Sequence, residues 1–352
     1  MQVGLDNGPN LPFSVMVFSN YLTQALQEQI IGQEYAVTAL MRAVTLALAG
    51  MCYNNRPLAV LMFVGPTGSG KKHVAQSLAR VLLGDERRMT YVNCQRLGQA
   101  TNLLSDLHEQ LLAGFLQFQI ASLPWPPPFS VILFEEIDKA PAAFRDILAT
   151  AIDQGEIFLQ GHFFPFRNSF IVLTSSFSKK KTDQLIGRTI GFLRDGETDL
   201  EMPRQHLVVL EEIDNLLGPG LVNRIDEIII FERLNEQNII TLLERQLSEI
   251  ERFLAHFSIG FLIDQDAKTF LLRHGLEDLT HGMRQIKRAV RNYLEFPLAD
   301  LMMSRRLVPG TTVMVKYESP RNFLNFQIMI PRLAPKRWPP MKPLALQAEA
   351  VE

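Results

Sequence analysis

Cysteine is nearly absent. Cys52 and Cys94 are the only two in 352 residues, and neither sits in a CxxC or CxxH spacing. That argues against a disulfide framework or a zinc site and fits a reducing compartment. Charge of one sign is also missing: the formal net charge is −2 with 20% charged residues, so no general basic field points to nucleic acid. Long hydrophobic runs are lacking. The apolar segment Thr45–Met51 is short and follows Arg42, and no uninterrupted run reaches the roughly 18 residues of a membrane span. The N-terminus has no basic region followed by an apolar block, so no signal peptide is expected. No internal repeat is found. Together these absences imply a soluble, cytoplasmic protein with no membrane and no nucleic-acid partner. What is plentiful is apolar residues, 47% of the chain, enough for a sizeable core in about one to three domains.

The most informative stretch is Gly65-Pro66-Thr67-Gly68-Ser69-Gly70-Lys71-Lys72. An apolar run, Leu58–Val64, precedes it and reads as a buried parallel strand. A helical pattern (Val74, Leu78, Ala79, Val81, Leu82) follows it. Strand, glycine-rich loop and helix form the context a phosphate-binding loop needs. Glycines let backbone N–H groups turn inward around an anion, the helix N-terminus adds partial positive charge, and Lys71 would reach the terminal phosphates. The plainer alternative is a tight connection. One position departs from the pattern: Lys72 stands where a Ser or Thr hydroxyl would meet Mg²⁺.

Strand signals recur at Met89–Cys94, Ser130–Phe134, Phe170–Leu173 and Ile225–Phe231, with a hairpin over Ile157–Phe166 turning near Gly161. Helical patterns cover Tyr21–Gln29, Tyr35–Gly50, Leu103–Phe118 and about Ala140–Asp153. Short apolar strands alternating with helices indicate an α/β fold, a parallel sheet covered by helices on both faces. Its ligands are expected at the carboxyl ends of the strands. Glu135-Glu136 and Ser176 fall there with the glycine-rich loop. Acids at that place in phosphate-loop enzymes serve Mg²⁺ and the attacking water; the alternative is two exposed acids at a helix N-terminus. From Leu234 the character changes to helices over Asn235–Phe257, Asp264–His274 and Met283–Leu301, with a short strand at Val313–Tyr317. The expected division is a lead-in over 1–29, loosely ordered over 1–20, a large domain over 30–234, a small helical domain over 235–318, and a proline-rich, extended tail over 319–352. Leu123–Pro128 reads as a stiff connection, and Lys179-Lys180-Lys181 as a solvated loop.

In this order the motifs resemble one family, the Clp-type AAA+ ATPases, over roughly 30–318. Ile30-Ile31-Gly32-Gln33 resembles its opening motif, GPTGSGK its phosphate loop, and VILFEEIDKAP its second Walker motif. FRNSFIVLTSS (166–176) resembles the segment leading to its polar sensor, and GPGLVNRIDEIIIF (218–231) its arginine-finger segment. HGMRQIKRAV (281–290) resembles its second-sensor helix, and NYLEFPLADLMMSRRLVPGTTVMV (292–315) the end of its small domain. The resemblance implies ATP held between a large α/β domain and a small helical domain. Gly65, Pro66, Thr67, Gly68, Ser69, Gly70, Lys71 and Lys72 would surround the phosphates, and Ile30 and Ile31 would line the adenine pocket. Arg284 would contact phosphate, Glu135 would face Mg²⁺, and Glu136 would be the catalytic acid. Ser176 would be the first sensor, and Arg224 would act as an arginine finger on a neighbouring subunit's nucleotide. Read alone, Arg224 would be a structural ion pair with Asp226 or Glu227, and Arg284 a surface arginine.

Four features depart from the family pattern. Lys72 supplies no oxygen to Mg²⁺, which demands octahedral oxygen ligands. At ~4 Å two unit charges repel by about 1–4 kcal/mol depending on screening, and a divalent ion doubles that. Glu135 replaces the usual Asp, and Ser176 the usual Asn. No glycine-aromatic-valine-glycine pore loop lies between Cys94 and Val131; Phe115 and Phe118 there read as a packed helix face, and Trp125 follows them. The functional expectation is a ring, of identical or mixed AAA+ subunits, that couples weak or partner-dependent ATP hydrolysis to remodelling of a protein partner. The alternative is a nucleotide-binding pseudo-ATPase serving as an assembly switch or adaptor.

Overall fold

The computed structural model describes residues 11–51, 55–120, 130–176, 212–276, 283–319 and 323–330. They divide into two compact units: one built from the described residues up to Glu244 with those of 274–288, the other from Arg245–Arg273 with those from Ala289 onward.

The first unit is organised around β1 (Ala59–Gly65), whose seven residues are all buried. The run is apolar at every position because both of its faces are covered. Val60, Met62 and Val64 point into one core, while Ala59, Leu61 and Phe63 point into the other. β2 (Thr90–Asn93), β3 (Ser130–Glu135), β6 (Ser169–Ser176) and β7 (Glu227–Ile230) complete a five-stranded sheet in the order β2-β3-β6-β1-β7. Every pairing is parallel. The hydrophobic face of α1 (Leu11–Gln29), α2 (Glu34–Leu48) and α3 (Lys71–Leu83) supplies Leu22, Leu26, Leu40, Val44, Leu78 and their neighbours to one core. α4 (Cys94–Gln99), α5 (Leu103–Ile120) and α6 (Ala142–Gln154) cover the other.

The hairpin is β4 (Glu156–Leu159) and β5 (His162–Pro165). Gln160 and Gly161 both take positive φ, 48° and 87°, as a two-residue type I′ turn requires. Phe164 packs edge-on against Phe115 at 5.4 Å, so Phe115 belongs to a packed helix face as expected. The side chain of Phe118, Trp125 with the stiff connection, and the lysine run lie outside the described residues.

A short helix α7 (Pro219–Val222) precedes β7, and α8 (Glu236–His256) follows it. Next come β8 (Gly260–Ile263), α9 (Gln265–Leu276), α10 (Met283–Val290), α11 (Phe296–Met303), β9 (Thr312–Glu318) and β10 (Phe323–Met329). In the second unit β8 pairs in parallel with β9, and β9 antiparallel with β10. Phe270 packs edge-on against Tyr293 at 5.1 Å and at a tilt against Tyr317 at 5.4 Å, in a unit whose buried residues include Val313, Val315 and Leu294.

Three differences from expectation stand out. The helix expected over Tyr21–Gln29 begins earlier, at Leu11, within the stretch expected to be loosely ordered. β10 lies in the stretch expected to be an extended tail, where it gains a full antiparallel partner. The expected helix Met283–Leu301 is interrupted by a π-helical turn, Arg291–Glu295, in which the Phe296 N–H donates to the Arg291 carbonyl. Pro297, at the start of α11, has no N–H to continue the regular ladder, and the wider turn absorbs the fault.

Candidate functional site

The glycine-rich loop leaves β1 under close constraint. Gly65 has φ +155°, and a Cβ there would stand 2.4 Å from the Phe231 carbonyl oxygen, so only glycine fits. Gly68 and Gly70 also take positive φ, 83° and 101°, which turns their amides out of the regular helical path. Lys71 opens α3 and is buried. Its ammonium donates to the carbonyls of Gly65 and Pro66, both at 2.7 Å. Burial, then the charge of Arg284, pulls the Lys71 pKa down from 10.5 to about 8, against the attraction of Asp138, Glu136 and Glu135. Ser69 is buried, and its Oγ has no partner among the described residues.

Gln33 holds this loop from behind. Its Nε2 donates to the Ser69 carbonyl at 3.1 Å and the Glu232 carbonyl at 2.9 Å, and its Oε1 accepts from the Glu232 N–H at 3.1 Å. Gly32 is obligatory before it: φ is +70°, and a Cβ would collide with Asn238 at 2.1 Å. Ile30 is buried and Ile31 half-buried at this turn.

The sheet register brings the polar residues to the same edge. Gly65 lies opposite Ser176, and Asn93 opposite Glu135. Glu136 adopts a left-handed backbone, φ 59° and ψ 52°. Its N–H donates to Thr174 Oγ1 at 3.1 Å, and its carboxylate accepts from Lys139 at 2.8 Å. A non-glycine residue in that region costs about 1–3 kcal/mol and is found where a site imposes it.

Lys72 and Glu135, two separate departures in the sequence, are one feature in the structure. The Lys72 ammonium donates to Glu135 Oε2 at 3.1 Å and lies 4.0 Å from the Tyr91 ring centroid. Tyr91 donates its phenol proton to the same carboxylate oxygen. Burial, then that hydrogen bond and the Glu135 charge, pushes the Tyr91 pKa up. These residues fit a divalent cation poorly: Glu135 Oε2 already accepts from two donors, and a cation stands where the hydroxyl would be.

Arg224 lies apart from these residues. Its Nε donates to Asp153 Oδ2 at 2.8 Å, and Nη2 reaches the same oxygen; Nη1 donates to the Gly220 carbonyl. An ion pair with Asp226 or Glu227 is therefore not what forms. Asp226 instead accepts from the Val60 N–H at 2.7 Å and faces Arg56 at 3.8 Å. Sequence reasoning missed Gln33 as a brace, Tyr91, Thr174 and Asp153. Gln33 and Thr174 carried a local signal, since both lie inside motifs of the family resemblance.

Residues 56–228 match the family AAA domain (Cdc48 subfamily), and residues 234–315 match the C-terminal, D2-small domain of ClpB protein. The chain belongs to the Clp-type AAA+ ATPases. It is 30% identical over 303 residues to the chaperone protein ClpB of Aquifex aeolicus, a match covering 84% of this chain and 29% of that protein. It is 29% identical to the chloroplastic chaperone protein ClpD of Arabidopsis thaliana, over 86% of this chain and 32% of that one. It is 29% identical to the ATP-dependent Clp protease ATP-binding subunit ClpC of Staphylococcus aureus (strain USA300), over 84% and 36%. The chain thus spans about a third of the length of these relatives. A solved structure of Hsp104 in its closed state, with ATPγS and FITC casein, shares the fold with a TM-score of 0.69 and 24% identity, over 91% of this chain and 53% of that one. As a Clp-type AAA+ ATPase the chain has the expected α/β phosphate-loop fold and small C-terminal domain. No helix among its described residues is long and apolar enough to cross a membrane.

Proposed function

We propose that this chain is a cytoplasmic, ATP-binding AAA+ subunit that works in a ring, of like or mixed subunits, to remodel a protein partner, with hydrolysis weak or dependent on that partner. The observation that carries this reading is the convergence of the Lys71 loop, Glu136 and Ser176 at one edge of the sheet. Backbone amides and Lys71 would hold the phosphates. Arg284 would add a second cation. Glu136, fixed by Thr174, would orient the attacking water once its carboxylate leaves Lys139. Arg224 would complete the site of a neighbouring subunit. The domain division set out above, 1–29, 30–234, 235–318 and 319–352, is part of the same proposal.

A second reading is favoured by the Lys72–Glu135 pair: ATP is bound but not turned over, and serves as an assembly switch or adaptor element. ATP turnover measured over a range of protein concentrations separates the two. Turnover per chain that rises with concentration and falls by about 10²-fold or more in Glu136→Gln supports the enzyme. Bound ATP with no turnover at any concentration, with or without a candidate partner, withdraws it in favour of the switch.

A further inference from the structure

In a phosphate site a magnesium ion does two jobs: it neutralises charge, and it bridges phosphate oxygens. An ammonium group held in the right place can do both in part, because it carries a charge and three N–H donors. Lys72 is such a group. It follows Lys71 on the first turn of α3, directly beside the glycine-rich loop. One direction of its head is taken by Glu135 Oε2 at 3.1 Å and another by the face of Tyr91 at 4.0 Å. The side chain remains 43% exposed, so the head is oriented without being sealed, with donor capacity left on its open side. Glu135 is committed in turn: Tyr91 and Lys72 both donate to one of its oxygens. A divalent ion entering here would find one Glu135 oxygen already taken by two donors and would sit beside a positive charge. Buried Ser69 adds a hydroxyl without a partner among the described residues.

We propose that Lys72, held by Glu135 and Tyr91, is a built-in replacement for the divalent cation, and that the site takes the metal-free form of a nucleoside triphosphate. The inference rests on the ATP-binding reading above and deepens it. Metal-free ATP carries more negative charge than its magnesium complex. Lys71, Lys72 and Arg284 are the cations that meet it. Glu135 is a positioning residue that aims Lys72 and does not touch the ligand.

Isothermal titration of the full chain with ATP, in EDTA and in excess Mg²⁺, tests this without reference to turnover. The expected binding is tighter in EDTA than in excess Mg²⁺, by about threefold or more, because the magnesium complex must shed its ion to enter. Lys72→Thr, which restores an oxygen and removes the charge, is expected to bind about tenfold or more weakly in EDTA and to recover with Mg²⁺. Lys72→Arg, which keeps the charge, retains binding in EDTA. Lys71→Ala loses affinity in both media, which locates the signal at the loop. Tight binding by the unaltered chain only with Mg²⁺ overturns the inference and leaves the ATP-binding reading standing. Metal-independent binding that persists in Lys72→Thr also overturns it, since Lys72 would then not be the replacement. Absence of binding in both media overturns the ATP-binding reading and this inference together.

Discussion

Lys71 carries its charge against its surroundings. Burial and Arg284 lower its pKa from 10.5 to about 8, so holding the proton in the folded chain costs on the order of 3 kcal/mol. The sign follows from linkage: between about pH 8 and pH 10.5 the unfolded chain binds more protons at this residue than the folded one, so this contribution to stability rises with pH across that window. Phosphate oxygens placed at the ammonium reverse the balance, because they favour the charged form. ATP binding should therefore take up about one proton per site near pH 9, and affinity should fall as pH rises above about 8. Calorimetric titration in two buffers of different ionisation enthalpy reads this directly. A flat affinity with no proton uptake would mean that Lys71 does not meet the phosphates. The same scale explains why Lys72 and Glu135 were each legible only as departures. Their contact spans 63 positions, and the Tyr91–Glu135 contact spans 44. Neither separation is a spacing that any local motif encodes.

Between elements, one side chain joins three places. Gln33 connects the turn before α2, the carbonyl of Ser69 in the loop, and both backbone groups of Glu232 after β7. Its removal leaves three backbone groups short of a partner, each costing about 1–3 kcal/mol if water cannot reach it. Gln33→Ala should lower the unfolding free energy by about 1–3 kcal/mol and weaken ATP binding several-fold, because the amides of the loop lose their brace. Denaturant unfolding beside nucleotide titration checks both; a variant that loses stability with unchanged affinity would make Gln33 a purely structural brace. The central sheet was legible because strands buried on both faces are apolar at every position, as Val131–Phe134 and Phe170–Leu173 are. β8 and β10 were not. Gly260–Ile263 is a short segment whose burial alternates, and Phe323–Met329 is half-exposed and follows a proline-marked stretch. Both are strands through their pairing with β9, which is information carried by the partner. The break before Pro297 was legible in principle, since a proline inside a helical pattern is a known fault.

At the scale of the whole molecule, the question is whether a site is complete within one chain. The side chain of Arg224 is occupied by Asp153 and the Gly220 carbonyl, and none of its contacts among the described residues is with the glycine-rich loop. An arginine so placed has two fates. It is a structural tie between α6 and α7, or it leaves Asp153 to meet a phosphate on the next subunit. These fates differ in a mixing experiment. Lys71→Ala chains keep Arg224 but lack a working loop; Arg224→Ala chains keep the loop but lack the arginine. If Arg224 acts across an interface, each variant alone is inactive. A one-to-one mixture should then recover roughly a quarter of the unaltered chain's activity, the chance that an intact loop meets an intact arginine when subunits assort at random. If Arg224 is a structural tie, the mixture gives no more than the mean of its components, and Arg224→Ala lowers thermal stability to match its loss of function. A surface ion pair of this kind contributes only about 0–1 kcal/mol. A large loss of turnover in a chain of unchanged stability, rescued by mixing, would therefore assign Arg224 to the neighbour's nucleotide and make the ring the active unit.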